Sequence, residues 1–185
     1  MRSRLPPVLG AADLPLAELG AARLDGELFP LDEGFCPIDE PDRPALRAAA
    51  LRPLVPPGAV VERASALWVH GALPRPPARH TLCVPADARI GTRHAIRLRV
   101  RECRLSPDDV AEIAGLRLVT PLRAAVDLLR SAPDFGPRER AVIELLNEAG
   151  GFRHDDLEAA VEAGRSIPGI RRARERLRGV EGGAA

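Results

Sequence analysis

Ile96-Arg97-Leu98-Arg99-Val100-Arg101 is the clearest period-two alternation in this sequence of 185 residues. Successive side chains of a strand point to opposite faces, so Ile96, Leu98 and Val100 are expected on one face and three guanidinium groups on the other. A strand patterned this way is half-buried, which predicts an antiparallel sheet with one face on a core. Its expected extent is residues 95–101. Residues 80–84 and 116–119 are the companion strands, and residues 74–77 form a proline-rich loop before them. Ser106-Pro107-Asp108-Asp109 reads as a helix or turn start, with Ser106 as its cap, for a short segment through residue 113 that connects two strands.

Helices are expected on both sides of this sheet. Upstream, residues 44–54 form a helix with Pro44 just inside its start, residues 59–61 a short buried strand, and residues 63–70 a helix ended by Gly71. Downstream, Thr120-Pro121 opens a helix in the favoured cap-then-proline order, with Leu122, Ala125, Val126, Leu128 and Leu129 as its apolar face. Further helices are expected over residues 137–148, 154–163 and 167–178. At the N-terminus, residues 11–26 suit a short helix interrupted by Pro15 and Gly20. Residues 27–31 and 35–38 then make two extended runs around the acidic turn Asp32-Glu33-Gly34. A helix followed by a small hairpin is the ending of a winged helix. The expected class is therefore α+β: a small, degenerate N-terminal winged helix over residues 1–40, a mixed domain with a small antiparallel sheet and C-terminal helices over 41–180, and a disordered tail over 181–185.

All 27 basic residues are arginine, as expected of a very G+C-rich genome, so arginine number alone says little about nucleic acid. Placement says more. Residues 1–73 hold 7 Arg against 10 acids, residues 75–104 hold 8 against 2, and residues 105–185 hold 12 against 14, so a net charge of +1 conceals a basic middle. No apolar run approaches the roughly 18 residues of a spanning helix, and Met1-Arg2-Ser3-Arg4 leads into Pro6-Pro7 rather than a signal core. A cytoplasmic protein with no membrane partner is expected.

Cys36, Cys83 and Cys103 are odd in number and far apart, which predicts buried free thiols rather than a disulfide framework or a zinc site. His70, His80, His94 and His154 match no ligand pattern, so no metal is expected. There is no nucleophile elbow, Walker loop or dinucleotide fingerprint, and the reading assigns no catalytic residue and no cofactor. Trp68 is expected in the core. His70-Gly71 reads as a helix C-terminal cap, and Arg123 and Asp127, four apart, as a pair on one helix face.

Three stretches in order resemble the AbiEi-type antitoxins of type IV toxin–antitoxin systems. Residues 16–38 look like the second half of their N-terminal winged helix. Val60-Val61-Glu62-Arg63-Ala64-Ser65-Ala66-Leu67-Trp68-Val69-His70-Gly71 is similar to their S-x-x-S-A-A-x-L-H-G helix. Val119-Thr120-Pro121-Leu122-Arg123-Ala124-Ala125-Val126-Asp127-Leu128 is similar to their V-T-x-P-x-R-T-x-x-D-L helix start. Many such proteins continue into a nuclease-like domain. This sequence has no lysine and no spaced Asp, Glu and Lys set to hold a metal beside a phosphate, so a member without nuclease chemistry is expected.

The resemblance implies a winged helix that reads operator DNA and represses its own operon, with DNA and a cognate toxin as partners and a homodimer as an available state. Residues 1–40, however, hold 3 Arg against 8 acids, and Arg23 is the only basic residue of the helix in the recognition position. Binding by counterion release needs positive charge beside phosphates. The basic middle supplies it: Arg97, Arg99 and Arg101 repeat at about 6.6–6.8 Å along one strand face, the scale of successive phosphates, with Arg89 and Arg93 near in sequence. Arg171 and Arg172 belong to a second basic run. The expected DNA contacts are these residues and Arg23. A strand face of this kind also suits an acidic partner surface, and an acidic winged helix suits an interaction module that does not bind DNA.

Overall fold

The computed structural model describes residues 6–84, 96–164 and 168–181. Its N-terminal part holds one helix, α1 (Leu16–Leu24), and a hairpin of β1 (Leu28–Leu31) and β2 (Gly34–Pro37). The hairpin is antiparallel in the register Leu28 opposite Pro37 and Leu31 opposite Gly34. Leu9 adds an isolated bridge to Phe35. Helix α1 begins after Pro15 rather than at residue 11, because proline fixes the residue before it in extended conformation. Leu9, Leu19 and Leu28 form a small cluster of their own, while Leu31 and Cys36 join the main core.

Next come α2 (Pro44–Leu51), β3 (Val60–Glu62), α3 (Arg63–Val69), β4 (His80–Val84), β5 (Leu98–Glu102), β6 (Val110–Ile113) and β7 (Leu116–Val119). Four helices follow: α4 (Pro121–Ser131), α5 (Pro137–Gly150), α6 (His154–Ala163) and α7 (Ile170–Glu181). Glu181, expected at the start of a disordered tail, ends α7. The larger sheet runs β5-β4-β3-β7-β6.

That sheet is mixed where an antiparallel one is expected. β3 pairs antiparallel with β4 and β6 with β7, but β4 and β5 are parallel, as are β3 and β7. A parallel neighbour needs a connection of a dozen or more residues, and the interval between Val84 and Leu98 is long enough in sequence for one. The alternation of residues 97–101 reports only that one face of the strand is wetter than the other. It carries no information on strand direction.

Parallel register also brings together two cysteines expected to be free. Cys83 lies opposite Arg101, so Cys103, two residues further on, falls at the same end of the strand pair. The two are joined as a disulfide with a Cα–Cα separation of 5.7 Å, well within the range such a bond requires. Cys36 is free and buried as expected, and burial pushes its thiol up to about 11. The segment after Ser106 is a second correction. It is a single 3-10 turn, Pro107–Asp109, closed by the Ser106 amide donating to Asp109 Oδ2 at 2.8 Å, and residues 110–113 are a strand rather than helix.

Helix α4 is the centre of the helical layer and packs against α3, α5, α6 and α7. Thr120 caps it, its Oγ1 accepting from the Arg123 amide at 3.3 Å. At its other end Arg176 of α7 donates to the carbonyls of Leu129 and Ala132 at 2.9 and 2.8 Å, satisfying groups that a helix terminus leaves open. Trp68 is buried with Leu82, Leu118, Leu129 and Leu146. Arg47 was not distinguished in the sequence, yet it is buried. It donates to Asp42 Oδ1 at 2.7 Å and to the carbonyls of Trp68 and Leu73 at 2.6 and 2.9 Å, tying α2 to the end of α3. Among the described residues no helix is long and apolar enough to cross a membrane.

His70 ends α3, and Gly71 follows with φ +89, a conformation that suits glycine. The buried His70 ring donates from Nε2 to the Val119 carbonyl at 2.8 Å, and burial holds its pKa below the ordinary histidine value of 6.5. A histidine kept neutral in the fold binds its proton first in the unfolded chain. Its contribution is therefore complete above pH 6.5 and falls as pH drops towards the lower folded value. His70→Gln keeps an N–H donor and removes the titration. Denaturation measured between about pH 5 and 8 is expected to show a shallower acid loss in the variant than in the parent protein.

Candidate functional site

Three residues of α4 spaced four and three apart, Arg123, Asp127 and Arg130, fall on one helix face. Asp127 Oδ2 accepts from Arg123 Nε at 3.1 Å and Oδ1 from Arg130 Nη1 at 2.8 Å, while Arg123 also donates to Asp109 at 2.7 Å. On the sheet side Glu62, fully buried, accepts two hydrogen bonds from Arg101, and Arg63 Nε lies 3.7 Å from it. Arg63, Arg101, Arg104, Arg123 and Arg130 thus surround a cavity of about 510 Å³, with Asp127, Cys103, Ser131 and Pro168 completing its lining. A second depression of about 530 Å³ shares Arg130 and Pro168 with it and adds Arg171, Arg172, Gly169 and Glu175.

The electrostatics follow from crowding. Burial, reinforced by the neighbouring charges of Arg123, Arg101 and Arg63, lowers the Arg130 pKa against the pull of Asp127. Burial raises the Asp127 carboxyl, opposed by Arg123 and Arg130 and assisted by Glu62. Each arginine except Arg104 has a carboxylate to hold it. Arg104 is exposed and has no ion-pair partner among the described residues. Gly169, with φ +85, lets the start of α7 approach the end of α4, where a Cβ would meet the Arg130 carbonyl oxygen at 2.9 Å.

Arg63 is itself unusual. It follows β3 and opens α3 with φ +51, the left-handed region that a residue bearing a Cβ enters at a cost of about 1–2 kcal/mol. The abrupt turn from strand to helix sets Arg63 at the cavity and its neighbour Glu62 beneath Arg101. Strain of this kind persists only where surrounding structure enforces it.

The residues expected to contact DNA are dispersed. Arg101 lines the cavity, Arg171 and Arg172 line the adjoining depression, and Arg99 is exposed on β5 with no partner among the described residues. Arg23 is exposed near the end of α1. Arg89 and Arg93 lie outside the described residues. Arg97 turns to the N-terminal hairpin: Nη2 donates to Asp32 Oδ1 at 2.7 Å and Nη1 to Glu33. His80 Nε2 lies 3.1 Å from Asp32 Oδ2, and its Nδ1 is 3.2 Å from Ser65 Oγ, which also accepts from the Thr81 amide at 2.9 Å. Burial would raise the Asp32 carboxyl, but His80 and Arg97 together hold it below the usual carboxylate range. The acidic hairpin tip is thus an internal partner of the arginine strand. Arg104 belongs to the basic middle of the sequence, whereas Arg63, Arg123 and Arg130 are outside the expected contacts and are signalled only by the spacing around Asp127 and by the strand–helix junction.

The three potential metal ligands found together among the described residues are Glu62, Cys83 and Cys103. Arg101 occupies the Glu62 carboxylate and the two sulfurs are paired with each other, so this group has no donor free for an ion.

The model of the AbiEi antitoxin C-terminal domain matches residues 58–178, which span β3 through α7 and the whole arginine cavity. The chain belongs to that family. Four residues of the AbiEi domain now have geometric roles: Ser65 holds His80, His70 joins α3 to β7, and Arg123 and Asp127 form one wall of the cavity. Among solved structures, the crystal structure of the RV2827C protein from Mycobacterium tuberculosis is similar at 18% identity, over 95% of this chain and 72% of that one, with a TM-score of 0.48. No curated protein matches the chain.

Two substitutions probe this part of the AbiEi domain and its hairpin. Arg63→Gly removes the left-handed penalty and only a weak ion pair, so it is expected to stabilise by about 1 kcal/mol, a rise in Tm of about 2–4 °C. Arg97→Ala strips a donor from the buried Asp32 and is expected to destabilise by about 1–3 kcal/mol in chemical denaturation.

Proposed function

We propose that this AbiEi-family chain is a DNA-binding transcriptional regulator of a toxin–antitoxin system, which represses by operator binding in the cytoplasm and holds DNA backbone on the arginine-lined face of its C-terminal part. The observation that carries this reading is the continuity of the two depressions through Arg130 and Pro168, which sets Arg104, Arg171 and Arg172 along one surface with no protein acceptor among the described residues. Free guanidinium groups on a continuous surface are what counterion release requires. Arg99 and Arg101 extend that surface onto β5, and Arg23 is a separate contact on α1. The reading assigns no catalytic step, cofactor or metal.

The N-terminal helix and hairpin stand in this proposal as a degenerate winged helix. Its tip does not face phosphate, because Asp32 and Glu33 are engaged by Arg97 and Asp32 by His80. A second reading is favoured by a different observation: Leu16 and Leu24 on α1 and Ile38 after β2 are exposed in a segment where acids outnumber arginines. Exposed apolar side chains within an acidic surround suit a protein partner, such as a cognate toxin or a second copy of the chain.

Titration of the protein's own promoter fragment at about 50–200 mM salt separates the two. Operator binding predicts a shifted complex whose affinity falls steeply with salt. Replacing Arg104, Arg171 and Arg172 together by alanine is expected to reduce the slope of log K against log salt by about 2–3, with the fold intact by circular dichroism. Absence of any shift at about 50 mM salt would overturn the DNA reading in favour of the partner reading.

A further inference from the structure

The arginine cavity differs from an ordinary basic surface in that its guanidinium groups are held from behind. Arg101 donates from Nε and Nη2 to Glu62, Arg123 from Nε and Nη1 to Asp127 and Asp109, and Arg130 from Nε and Nη1 to the Pro168 carbonyl and Asp127. Each therefore keeps one terminal nitrogen, Nη1 of Arg101 and Nη2 of Arg123 and Arg130, with no acceptor among the described residues. Side chains fixed in this way lose little further freedom when an anion arrives. Arg63 and Arg104 complete the rim.

Charge and size narrow the ligand. Among the described residues five guanidinium groups meet three carboxylates, those of Glu62, Asp127 and Asp109, an excess of 5 − 3 = 2 positive charges. A backbone phosphodiester brings one negative charge, whereas a phosphate monoester brings about 1.5–2. A volume of about 510 Å³ is that of a small-molecule site and exceeds what a single phosphate needs. Among the described residues the remaining lining, Cys103, Ser131 and Pro168, offers no aromatic ring on which a base would stack.

We propose that this cavity binds the terminal phosphate or pyrophosphate group of a nucleotide and does not select its base. The chemistry has two sources, a free nucleoside diphosphate or the 5′-phosphorylated end of a nucleic-acid strand. Neither requires the operator reading, since the ligand is a chain end or a small molecule rather than continuous backbone.

The test uses the full chain at about 50 mM salt, with thermal denaturation and calorimetry against pyrophosphate, ADP, CDP and adenosine. Pyrophosphate and both diphosphates are expected to raise Tm in a concentration-dependent way, with ADP and CDP within about twofold of each other and adenosine without effect. Arg104→Ala, at an exposed side chain, and Arg63→Gly, which relieves backbone strain, are each expected to weaken pyrophosphate binding about tenfold. Arg75→Ala removes the same charge from an exposed loop outside both depressions and is expected to leave binding unchanged. Competition by a 5′-phosphorylated oligonucleotide but not by its 5′-hydroxyl form identifies the strand end as the source, and competition by neither identifies the free nucleotide. The proposal is overturned by any of three results: no effect of pyrophosphate at about 10 mM, undiminished binding in both cavity variants, or equal competition by the 5′-hydroxyl oligonucleotide.

Discussion

Two carboxyl side chains, Glu62 and Asp127, lie almost wholly inside this protein, and most of its functional architecture follows from supplying each with hydrogen-bond donors. A buried carboxylate without a partner costs several kcal/mol, so each must be met by donors that can reach it. Glu62 sits at the end of β3 and Asp127 in the middle of α4. The arginines that reach them come from β5, from the first residue of α3 and from the same helix face as Asp127. Satisfying two carboxyl groups therefore fixes how the sheet, the strand–helix junction and the central helix meet. The cavity is the space left where those long side chains converge. It is cationic because Arg104 and the unused ends of the other guanidinium groups outnumber the acids beneath them.

The same economy explains the N-terminal hairpin. Read as part of a DNA-binding wing, Asp32 and Glu33 would repel phosphate. In the folded chain Asp32 is fully buried and bonded to His80 and Arg97, so its charge is spent inside the molecule. His80 in turn touches Ser65 of α3 and stands 6.1 Å from the Trp68 ring, which links the hairpin tip to the main core through a chain of buried polar contacts. The acidic end and the basic middle of the sequence are complementary, and part of the charge segregation along the chain is cancelled by folding.

How far the sequence foretold this depended on the range of the interaction. Cap and periodicity signals act over a few residues, and they located α4 from Thr120-Pro121, α6 at its observed bounds and the hairpin around Asp32. The pairing of Arg123 with Asp127 was legible for the same reason. Strand direction, the Cys83–Cys103 bond and the Arg97–Asp32 contact join residues 20 to 65 positions apart, and nothing local encodes them. Arg47 shows the limit clearly: a lone arginine on an alanine-rich helix reads as solvent-exposed, yet it is buried because Asp42 and two carbonyl groups converge on it. The expected alternation holds for Leu98 and Val100, but Ile96 is 89% exposed and lies with Arg97 before β5, and Arg97, Arg99 and Arg101 separate into a hairpin clamp, an exposed side chain and a cavity wall.

In a chain whose every basic residue is arginine, the number of cations therefore says little, and the number of N–H groups left over says more. Arg47, Arg97, Arg101, Arg123, Arg130 and Arg176 each donate to two or more acceptors within the fold, a role that the planar fork of guanidinium performs and a lysine ammonium cannot reproduce in the same geometry. Each of these cations first serves the fold, Arg176 through carbonyl groups alone. Arg99, Arg104, Arg171 and Arg172 have no acceptor among the described residues, and the last three line the two joined depressions. Arg23, Arg75, Arg79 and Arg117 are exposed as well but stand apart from one another along the chain, so among the described residues it is the joined depressions that gather unpaired guanidinium groups on one surface, and there an anionic partner gains most.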